Sequence, residues 1–338
     1  MIKKLVYTGG IPLSDAEAFQ LCEEPLPEPT GHDVLVAVKA VSVNPVDTKV
    51  RVKTPTGSKV VLGWDAAGIV EAVGDEVQAY QPDDRVFYAG DVTRDGCNAS
   101  HQLVDERIVG RHPQNLDFLH AAAMPLTSIT AWEALFDRMK IDADKDKGKT
   151  ILIINGAGGV GSVAIQLAKQ VAGLEVVTTA SRPETREWCI SLGADHVLNH
   201  REDLPGQYAA LGLESPDYIL CLSDTDSYFS AMAELVAPQG MICAVVDTQQ
   251  AHNFSVLKAK SVGFVWEFMF TRAMYGTADM TRQQDILNQL ARLLDSGRIS
   301  CTMKQNMGSL SVENLARAHE LVESGAMIGK LVLKGLDV

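Results

Sequence analysis

The sequence predicts an α/β fold in which a doubly wound parallel sheet follows a smaller β-rich domain. From residue 150 to about residue 265, apolar runs of strand length alternate with segments of helical periodicity, an order typical of βαβ units with right-handed crossovers. Closely spaced short strands separated by Gly, Pro and Asp precede them over residues 1–125, which is typical of a small barrel or sandwich. A chain of 338 residues is long enough for both cores.

The charge and the cysteine content exclude several classes of protein. With 43 acidic and 30 basic residues, the formal charge of −13 argues against an extended surface for nucleic acid or acidic membrane. The six cysteines are scattered without a CxxC pair, so we expect reduced thiols. The N-terminal MIKKLVYTGG lacks a signal-peptide pattern and no run approaches 18 apolar residues, so a cytoplasmic protein is expected.

The most informative stretch is TILIINGAGGVGSVAIQLAKQV, at residues 150–171. The apolar run 151–154 predicts a strand buried on both faces, and helical spacing resumes at Val160. Between them, Gly156, Gly158 and Gly161 form the GxGxxG fingerprint of a Rossmann dinucleotide site. Backbone N–H groups and the positive end of the helix dipole favour a diphosphate at this helix N-terminus.

Local patterns predict the other elements. Runs of β-branched and apolar residues predict strands at 34–44, within 61–77, at 85–88, 101–104, 175–180, 218–222, 241–246 and 328–335. Helical spacing or capping signals predict helices at 128–139, from Pro183 to about Gly193, and at 286–294. The charged segment 142–149 is predicted to be a solvated loop. The aromatic segment 261–275 is interpreted as core or subunit interface, with a wall of the substrate pocket as the alternative.

The residues after the second strand of the parallel sheet predict the cofactor. An NAD-binding unit places an acidic residue there to hold the ribose hydroxyls, whereas this chain reads TTASRP. Ser181 and Arg182 supply a hydroxyl and a cation suited to a 2′-phosphate, so NADP(H) is predicted over NAD(H). Ser181 is also a candidate cap for the helix that begins near Pro183, and both roles are compatible.

Six segments together carry a family resemblance. They are VSVNPVDTKVR ending at Arg51, GWDAAGIVEAVG at 63–74, AAAMPLTSITAWEAL at 121–135, NGAGGVGSVAIQLAK at 155–169, LGADHVLNHRED at 192–203 and IGKLVL at 328–333. In this order they resemble the medium-chain dehydrogenase/reductase superfamily, specifically its zinc-free quinone oxidoreductase-like branch. The resemblance implies a GroES-like barrel domain at 1–125, completed by 266–338, and a Rossmann domain at 126–265. It also implies an active cleft between the domains and a homodimer joined near the end of the Rossmann segment.

Sequences of this kind are often labelled zinc-type alcohol dehydrogenases, so the residues at the zinc-ligand positions decide whether a metal is expected. The positions that hold the catalytic zinc in zinc-dependent relatives carry Asn44, Trp64 and Leu126 in this chain. Asp47 and Asp65 are nearby, but two aspartates without imidazole or thiolate partners are a poor zinc site. The eight histidines form no HxH or HxxxH pair. We therefore expect no zinc and no other metal.

The resemblance also assigns roles in the cofactor site. It places the diphosphate along Gly158, Gly159 and Val160, and the 2′-phosphate at Ser181 and Arg182. Thr127 and Thr130 are expected near the nicotinamide half. His200 is interpreted either as a titratable contact to the adenosine phosphate or as an exposed loop histidine.

The expected reacting end of the site lies in the N-terminal domain. Asn44 is expected to contact the nicotinamide ribose or the substrate oxygen. Asp47 is interpreted as orienting this loop, with proton transfer as the less favoured role. Trp64 is interpreted equally as pocket wall or buried packing, and Tyr88 is a further polar candidate. No Ser/His/Asp or Cys/His nucleophile is recognisable, so water is the expected proton donor.

These observations predict an NADPH-dependent, zinc-free oxidoreductase that transfers hydride to quinones or other α,β-unsaturated carbonyl compounds. A conjugated acceptor spreads the developing negative charge to its own oxygen and so has less need of a metal. Two alternatives stay open. One is a zinc-dependent alcohol or aldehyde dehydrogenase with unrecognised ligands, and the other is an NADPH-binding redox sensor with little turnover.

Overall fold

A computed structural model describes residues 1–336. The chain divides into two compact units, the first formed by Met1–Ile129 and the chain from Phe270 onward, the second by Thr130–Met269. The strands are β1 (Ile2–Thr8), β2 (Phe19–Glu24), β3 (Asp33–Ser42), β4 (Lys59–Val61), β5 (Ala66–Val73), β6 (Arg85–Tyr88), β7 (His101–Asp105), β8 (Val109–Arg111), β9 (Thr150–Ile154), β10 (Glu175–Thr179), β11 (His196–Leu198), β12 (Tyr218–Cys221), β13 (Met241–Ala244), β14 (Gly263–Trp266), β15 (Met303–Ser309) and β16 (Lys330–Lys334). The α-helices are α1 (Pro45–Lys53), α2 (Phe118–Ala122), α3 (Pro125–Trp132), α4 (Gly159–Gln166), α5 (Pro183–Ser191), α6 (Leu204–Ala210), α7 (Thr225–Leu235), α8 (Thr271–Tyr275), α9 (Arg282–Asp295) and α10 (Val312–Glu323).

The first unit is built on a long central strand, β3. Along one side, residues 33–37 of β3 pair antiparallel with β7, and residues 40–42 pair antiparallel with β16. On the other side, β5 pairs antiparallel with nearly the whole length of β3. The full sheet has the order β15-β16-β3-β5-β6-β8, and a second sheet has the order β2-β1-β4. Most of β3 is buried, which explains why its sequence alternates only in part. The C-terminal strand thus returns to the N-terminal sheet.

The second unit is a parallel sheet of six strands in the order β11-β10-β9-β12-β13-β14. The apolar strand β9 lies inside it, and residues 151–154 are fully buried, as a strand covered on both faces must be. The predicted doubly wound parallel fold is therefore confirmed. β14 is the last strand and pairs with β13.

Two helices, α3 and α4, continue into a wider helical turn that the sequence does not predict. The predicted helix 128–139 consists of α3 followed by a π-helical turn, Glu133–Arg138. Likewise α4 continues as the π-helical turn Leu167–Val171. The spacing of apolar residues does not distinguish an α-helix from a π-helical turn. Their hydrogen bonds span four and five residues, a difference of one.

The aromatic segment 261–275 divides between core and surface. Phe270 is buried, but Trp266 and Phe268 are 46% and 47% exposed and Tyr275 is 76% exposed. Core packing within one chain is therefore the wrong interpretation for these three residues. None of the helices formed by residues 1–336 combines the length and the apolar character needed to cross a membrane.

Candidate active site and dinucleotide site

The glycine turn after β9 is held against the neighbouring strand β10. Asn155 adopts a left-handed φ of 69°, and its backbone N–H donates to Thr179 Oγ1 at 2.8 Å. The next amide, of Gly156, donates to the Thr179 carbonyl at 3.0 Å. A Cβ on Gly156 would overlap Thr178 Oγ1, so the turn approaches β10 this closely only with glycine.

The other two glycines of the fingerprint serve different purposes. A Cβ on Gly161 would lie 2.6 Å from the Asn155 carbonyl oxygen, so this glycine lets α4 pack on the strand end. A Cβ on Gly158 would meet no protein atom closer than 3.8 Å, and its φ of −72° suits any residue. Protein packing therefore does not explain Gly158. Space reserved for a bound group explains it, which fits the diphosphate of a dinucleotide.

The helix N-terminus completes this cradle. Gly158 is the N-cap of α4 and offers no side-chain cap, and Gly159 and Val160 are the first helical residues. Their N–H groups lie in the first turn, where no helical carbonyl can accept from them. An anion bound here is also favoured by the helix dipole. The residues present thus fit a dinucleotide diphosphate.

The residues predicted at the 2′-phosphate follow two adjacent parallel strands. Ser181 and Arg182 follow β10, and His200 follows β11, so they lie at the same edge of the sheet. Arg182 is partly exposed and its Nε lies 3.3 Å from Glu184 Oε1. The N-cap of α5 is Arg182, whose N–H is accepted by Thr185 Oγ1 at 3.1 Å. The interpretation of Ser181 as the helix cap is therefore wrong.

His200 is half-buried and its Nδ1 lies 3.3 Å from Thr179 Oγ1. Burial lowers the pKa of His200 below its usual value, and the nearby Arg201 charge lowers the pKa further. A neutral imidazole next to the glycine turn can exchange hydrogen bonds with a phosphate without adding a charge.

In the first unit, Asn44 and Asp47 form the start of α1. Asn44 is the N-cap, and its backbone N–H donates to Asp47 Oδ2 at 2.5 Å. Asp47 is fully buried, and burial raises its pKa to about 7 despite the Asn44 amide and the Lys330 charge, which both lower it. Within residues 1–336, Asp47 Oδ1 has no hydrogen-bond partner. Asp47 thus fixes the loop that carries Asn44.

A buried lysine, Lys330, is the centre of the same region. Its Nζ lies 3.1 Å from Asp65 Oδ2 and donates to Asn44 Oδ1. Asn44 Nδ2 donates to Asp65 Oδ2 at 3.0 Å, and the Leu126 backbone N–H donates to Asp65 Oδ1 at 3.0 Å. Asp65 therefore joins the start of α1, the start of α3 and the first residue of β16. Both polar atoms of the Asn44 side chain already have partners, so its expected ligand contact stays a prediction.

The remaining predicted residues occupy less polar positions. Trp64 is buried, packs edge-on to Phe270 and donates from Nε1 to the Asp91 carbonyl at 3.0 Å. Tyr88 is buried, and its hydroxyl has no partner in the described part of the chain. Thr127 and Thr130 are buried on α3 and share one helix face, because they are three residues apart.

Lys330 is the residue that sequence reasoning missed. It stands in the matched segment IGKLVL, as a lone lysine at the start of an apolar strand. A lysine in that pattern is usually read as a strand-end solvent contact. Only the pairing of β16 with β3 shows that it points to Asn44 and Asp65.

This arrangement does not fit a catalytic zinc. The positions that the resemblance assigns to zinc ligands carry Asn44, Trp64 and Leu126, and the Asp65 carboxylate already binds an ammonium and two N–H groups. Across residues 1–336 no three His, Cys, Asp or Glu side chains are grouped to hold a metal ion. A divalent cation near Asp65 would also be repelled by the buried Lys330 charge.

A parallel α/β unit with a GxGxxG turn, together with a GroES-like β unit, defines a class of dinucleotide-dependent oxidoreductases. Family models for an alcohol dehydrogenase GroES-like domain and for a zinc-binding dehydrogenase match residues 30–111 and 192–333. The chain belongs to the medium-chain dehydrogenase/reductase superfamily, among the zinc-type alcohol dehydrogenase-like proteins. It is accordingly an oxidoreductase of this superfamily.

Similar proteins extend over nearly the whole chain. A zinc-type alcohol dehydrogenase-like protein of Staphylococcus aureus is 45% identical over 98% of this chain and 99% of that protein. A crystal structure from Rhizobium etli, of a protein provisionally assigned as a zinc-dependent alcohol dehydrogenase, is 48% identical with a TM-score of 0.95, covering 100% of this chain and 99% of that one. An NADPH-dependent alkenal/one oxidoreductase of Arabidopsis thaliana is 37% identical over 61% of this chain and 55% of that protein.

Proposed function

We propose that this protein is a cytoplasmic, NADPH-dependent reductase that works without zinc and transfers hydride to quinones or other α,β-unsaturated carbonyl compounds. The observation that carries the proposal is the buried Lys330–Asp65 pair beside Asn44, at the position where zinc-dependent relatives hold their metal. The Arabidopsis relative, named as an NADPH-dependent alkenal/one oxidoreductase, supports the same reaction class.

The chemistry of such an acceptor suits this site. NADPH supplies the hydride when bound, and the conjugated acceptor takes the resulting charge to its own oxygen. Hydride adds to the β-carbon of an enone, and a proton from water completes reduction at the α-carbon. The protein binds and orients the partners, which supplies much of the rate enhancement in a metal-free site.

The residues of this chain divide that work. Backbone N–H groups around Gly158, Gly159 and Val160 hold the diphosphate, while Ser181 and Arg182 select the 2′-phosphate. Thr127 and Thr130 bind near the nicotinamide. Asp47 orients the Asn44 loop, because its carboxyl accepts the Asn44 amide.

The decisive experiment measures bound metal in the purified protein and follows NADPH oxidation with a quinone and with an enone, with and without chelator. We expect metal-free protein and turnover that the chelator leaves unchanged. Stoichiometric zinc with chelator-sensitive oxidation of alcohols would make it a zinc-dependent dehydrogenase instead. Tight NADPH binding without turnover across a broad carbonyl panel would make it a redox sensor.

We also propose a homodimer joined along β14. This strand is the last in its sheet, and Phe254, Val256, Trp266 and Phe268 around it are each about half exposed. An exposed aromatic edge strand readily pairs with a second copy. Sedimentation should show a dimer that W266K converts to monomer, whereas V52K, at an equally apolar exposed position on α1, should leave the dimer intact. A monomeric wild-type protein would contradict this proposal.

A further inference from the structure

Two glutamates and one arginine form a buried cluster in the second unit. Arg138 Nε lies 2.8 Å from Glu267 Oε2, and Arg138 Nη2 lies 3.3 Å from Glu133 Oε2. Both glutamate side chains are fully buried, whereas Arg138 is partly exposed. One guanidinium thus contacts both buried carboxyl groups, and Glu267 Oε1 is buried with no hydrogen-bond partner among residues 1–336. None of these residues belongs to the dinucleotide or substrate site described above.

The π-helical turn Glu133–Arg138 makes this cluster possible. Its hydrogen bonds step five residues, as between the Met139 N–H and the Ala134 carbonyl at 3.0 Å. Residues five apart then lie above one another, which an α-helix does not allow. Glu133 and Arg138 thus face Glu267, which directly follows β14. π-helical turns are frequent at functional sites.

The charges of this cluster balance only when one proton is added. Ionised carboxylates only accept hydrogen bonds, so the two buried glutamates can hydrogen bond to each other only with a proton on one of them. With that proton, one carboxylate and the Arg138 guanidinium make a neutral group, whereas two ionised glutamates would leave an uncompensated charge in the interior. Burial, and then the neighbouring Glu133 charge, raise the pKa of Glu267 well above its usual value.

We propose that Glu133 and Glu267 form a binding site for a single proton, which they share between their carboxyl groups while Arg138 binds Oε2 of each. The groups that face Glu267 are Glu133 and Arg138 from the π-helical turn and Cys243 from β13. Burial keeps the Cys243 thiol protonated by raising its pKa, so Cys243 supplies no competing charge.

This shared proton links two segments that lie far apart in sequence. The second unit begins at Thr130 and ends at Met269. Glu133 and Glu267 therefore lie within three residues of its first and last residues. Arg138 and the shared proton therefore link the first and last segments of the second unit through Glu133 and Glu267. Release of the proton would place two negative charges side by side and weaken that connection. The site makes the stability of this unit depend on pH in the neutral to alkaline range.

The test compares the pH dependence of unfolding in the full-length wild type and in E267Q. A glutamine at position 267 donates to Glu133 without a titrating proton. A group with a raised native pKa loses its stabilising effect as pH rises toward that pKa. Between about pH 7.5 and pH 9, the wild-type unfolding constant should therefore rise about tenfold per pH unit more steeply than that of E267Q. The buried Asp47, with its pKa of about 7, titrates in both proteins and does not affect the difference between their slopes.

A matched variant and a direct spectroscopic measurement complete the test. E133Q should flatten the slope as E267Q does, whereas E106Q should not, because the buried Glu106 accepts from the Gln78 and Ala79 amides at 2.9 and 2.8 Å and needs no shared proton. Infrared spectra of the wild type at about pH 7.5 should show a protonated-carboxyl band that disappears at higher pH. Parallel slopes for wild type and E267Q, or absence of that band, would overturn the proposal.

Discussion

Lys330 and Asp65 form a fully buried ion pair, with Nζ 3.1 Å from Oδ2 and side chains that are 4% and 0% exposed. Lys330 is the first residue of β16, and Asp65 immediately precedes β5. The pair therefore ties β16 to the starts of α1 and α3, which carry Asn44 and Leu126. It places the Lys330 ammonium beside Asn44, one of the positions that the family resemblance assigns to a zinc ligand in zinc-dependent relatives.

Removal of the lysine charge should strongly destabilise the first unit. K330M leaves the Asp65 carboxylate buried without its cation, which typically costs about 3–5 kcal/mol. Chemical denaturation measures this loss as a lower unfolding midpoint. The double variant D65N/K330M should recover part of it, because the uncompensated charge is gone. As a control, K145M breaks the exposed Lys145–Asp142 pair and should leave the midpoint unchanged.

The glycines of the dinucleotide turn should separate folding from binding. G158A should change the free energy of unfolding by less than about 1 kcal/mol, since a Cβ fits there, yet weaken NADPH binding at least tenfold. G161A should instead destabilise the protein by about 1–3 kcal/mol, since its Cβ would collide with the Asn155 carbonyl. Calorimetric titration and thermal unfolding measure the two effects. Unchanged NADPH affinity in G158A would refute the assignment of this glycine.

Arg182 should decide between the two dinucleotides. R182A removes the cation predicted at the 2′-phosphate, so NADPH binding should weaken by about tenfold to a hundredfold while NADH binding stays the same. Dissociation constants for both cofactors check this directly. R186A, which removes a charge from the same helix, serves as the control and should preserve the NADPH preference. If R182A also preserves it, Arg182 does not bind the phosphate.

His319 should make the first unit sensitive to acid. It is buried on α10 against Phe19, and burial, followed by the Arg51 charge, lowers its pKa to about 3. In the unfolded chain His319 takes up a proton near pH 6.5, whereas in the folded chain it stays neutral until the pH is much lower. The free energy of unfolding therefore decreases as pH falls from 6.5 toward 3.

H319L should remove this component of the acid sensitivity. Denaturation should be measured at about pH 6.5 and pH 4.5. Over this range the unfolding constant of the wild type should rise by up to about tenfold per pH unit more than that of H319L. H120L, at an exposed histidine paired with Asp117, should retain the wild-type loss. The titration of the buried Asp47 contributes the same pH dependence in all three proteins. Equal losses in wild type and H319L would show that His319 protonates without cost.

Much of the second unit was predictable from local pattern. The strand at 151–154, the turn at Gly156 to Gly161 and the helix from Pro183 depend on neighbours within a few residues, and the structure confirms all three. The exposed faces of Trp266 and Phe268 were not predictable. Their sequence is apolar, and only the position of β14 at the end of the sheet decides that they lie at the surface.

The sequence by itself determined the parallel sheet and the glycine turn after β9, because residue type and short spacing carry that information. Only the tertiary structure decided the partners of the buried charges. Lys330 meets Asp65 across 265 positions of sequence, as the difference of their numbers shows, and Glu133 meets Glu267 after a π-helical turn and a complete parallel sheet. Burial of a charge is tolerated only with its partner in place, and the folded chain alone brings such distant partners together.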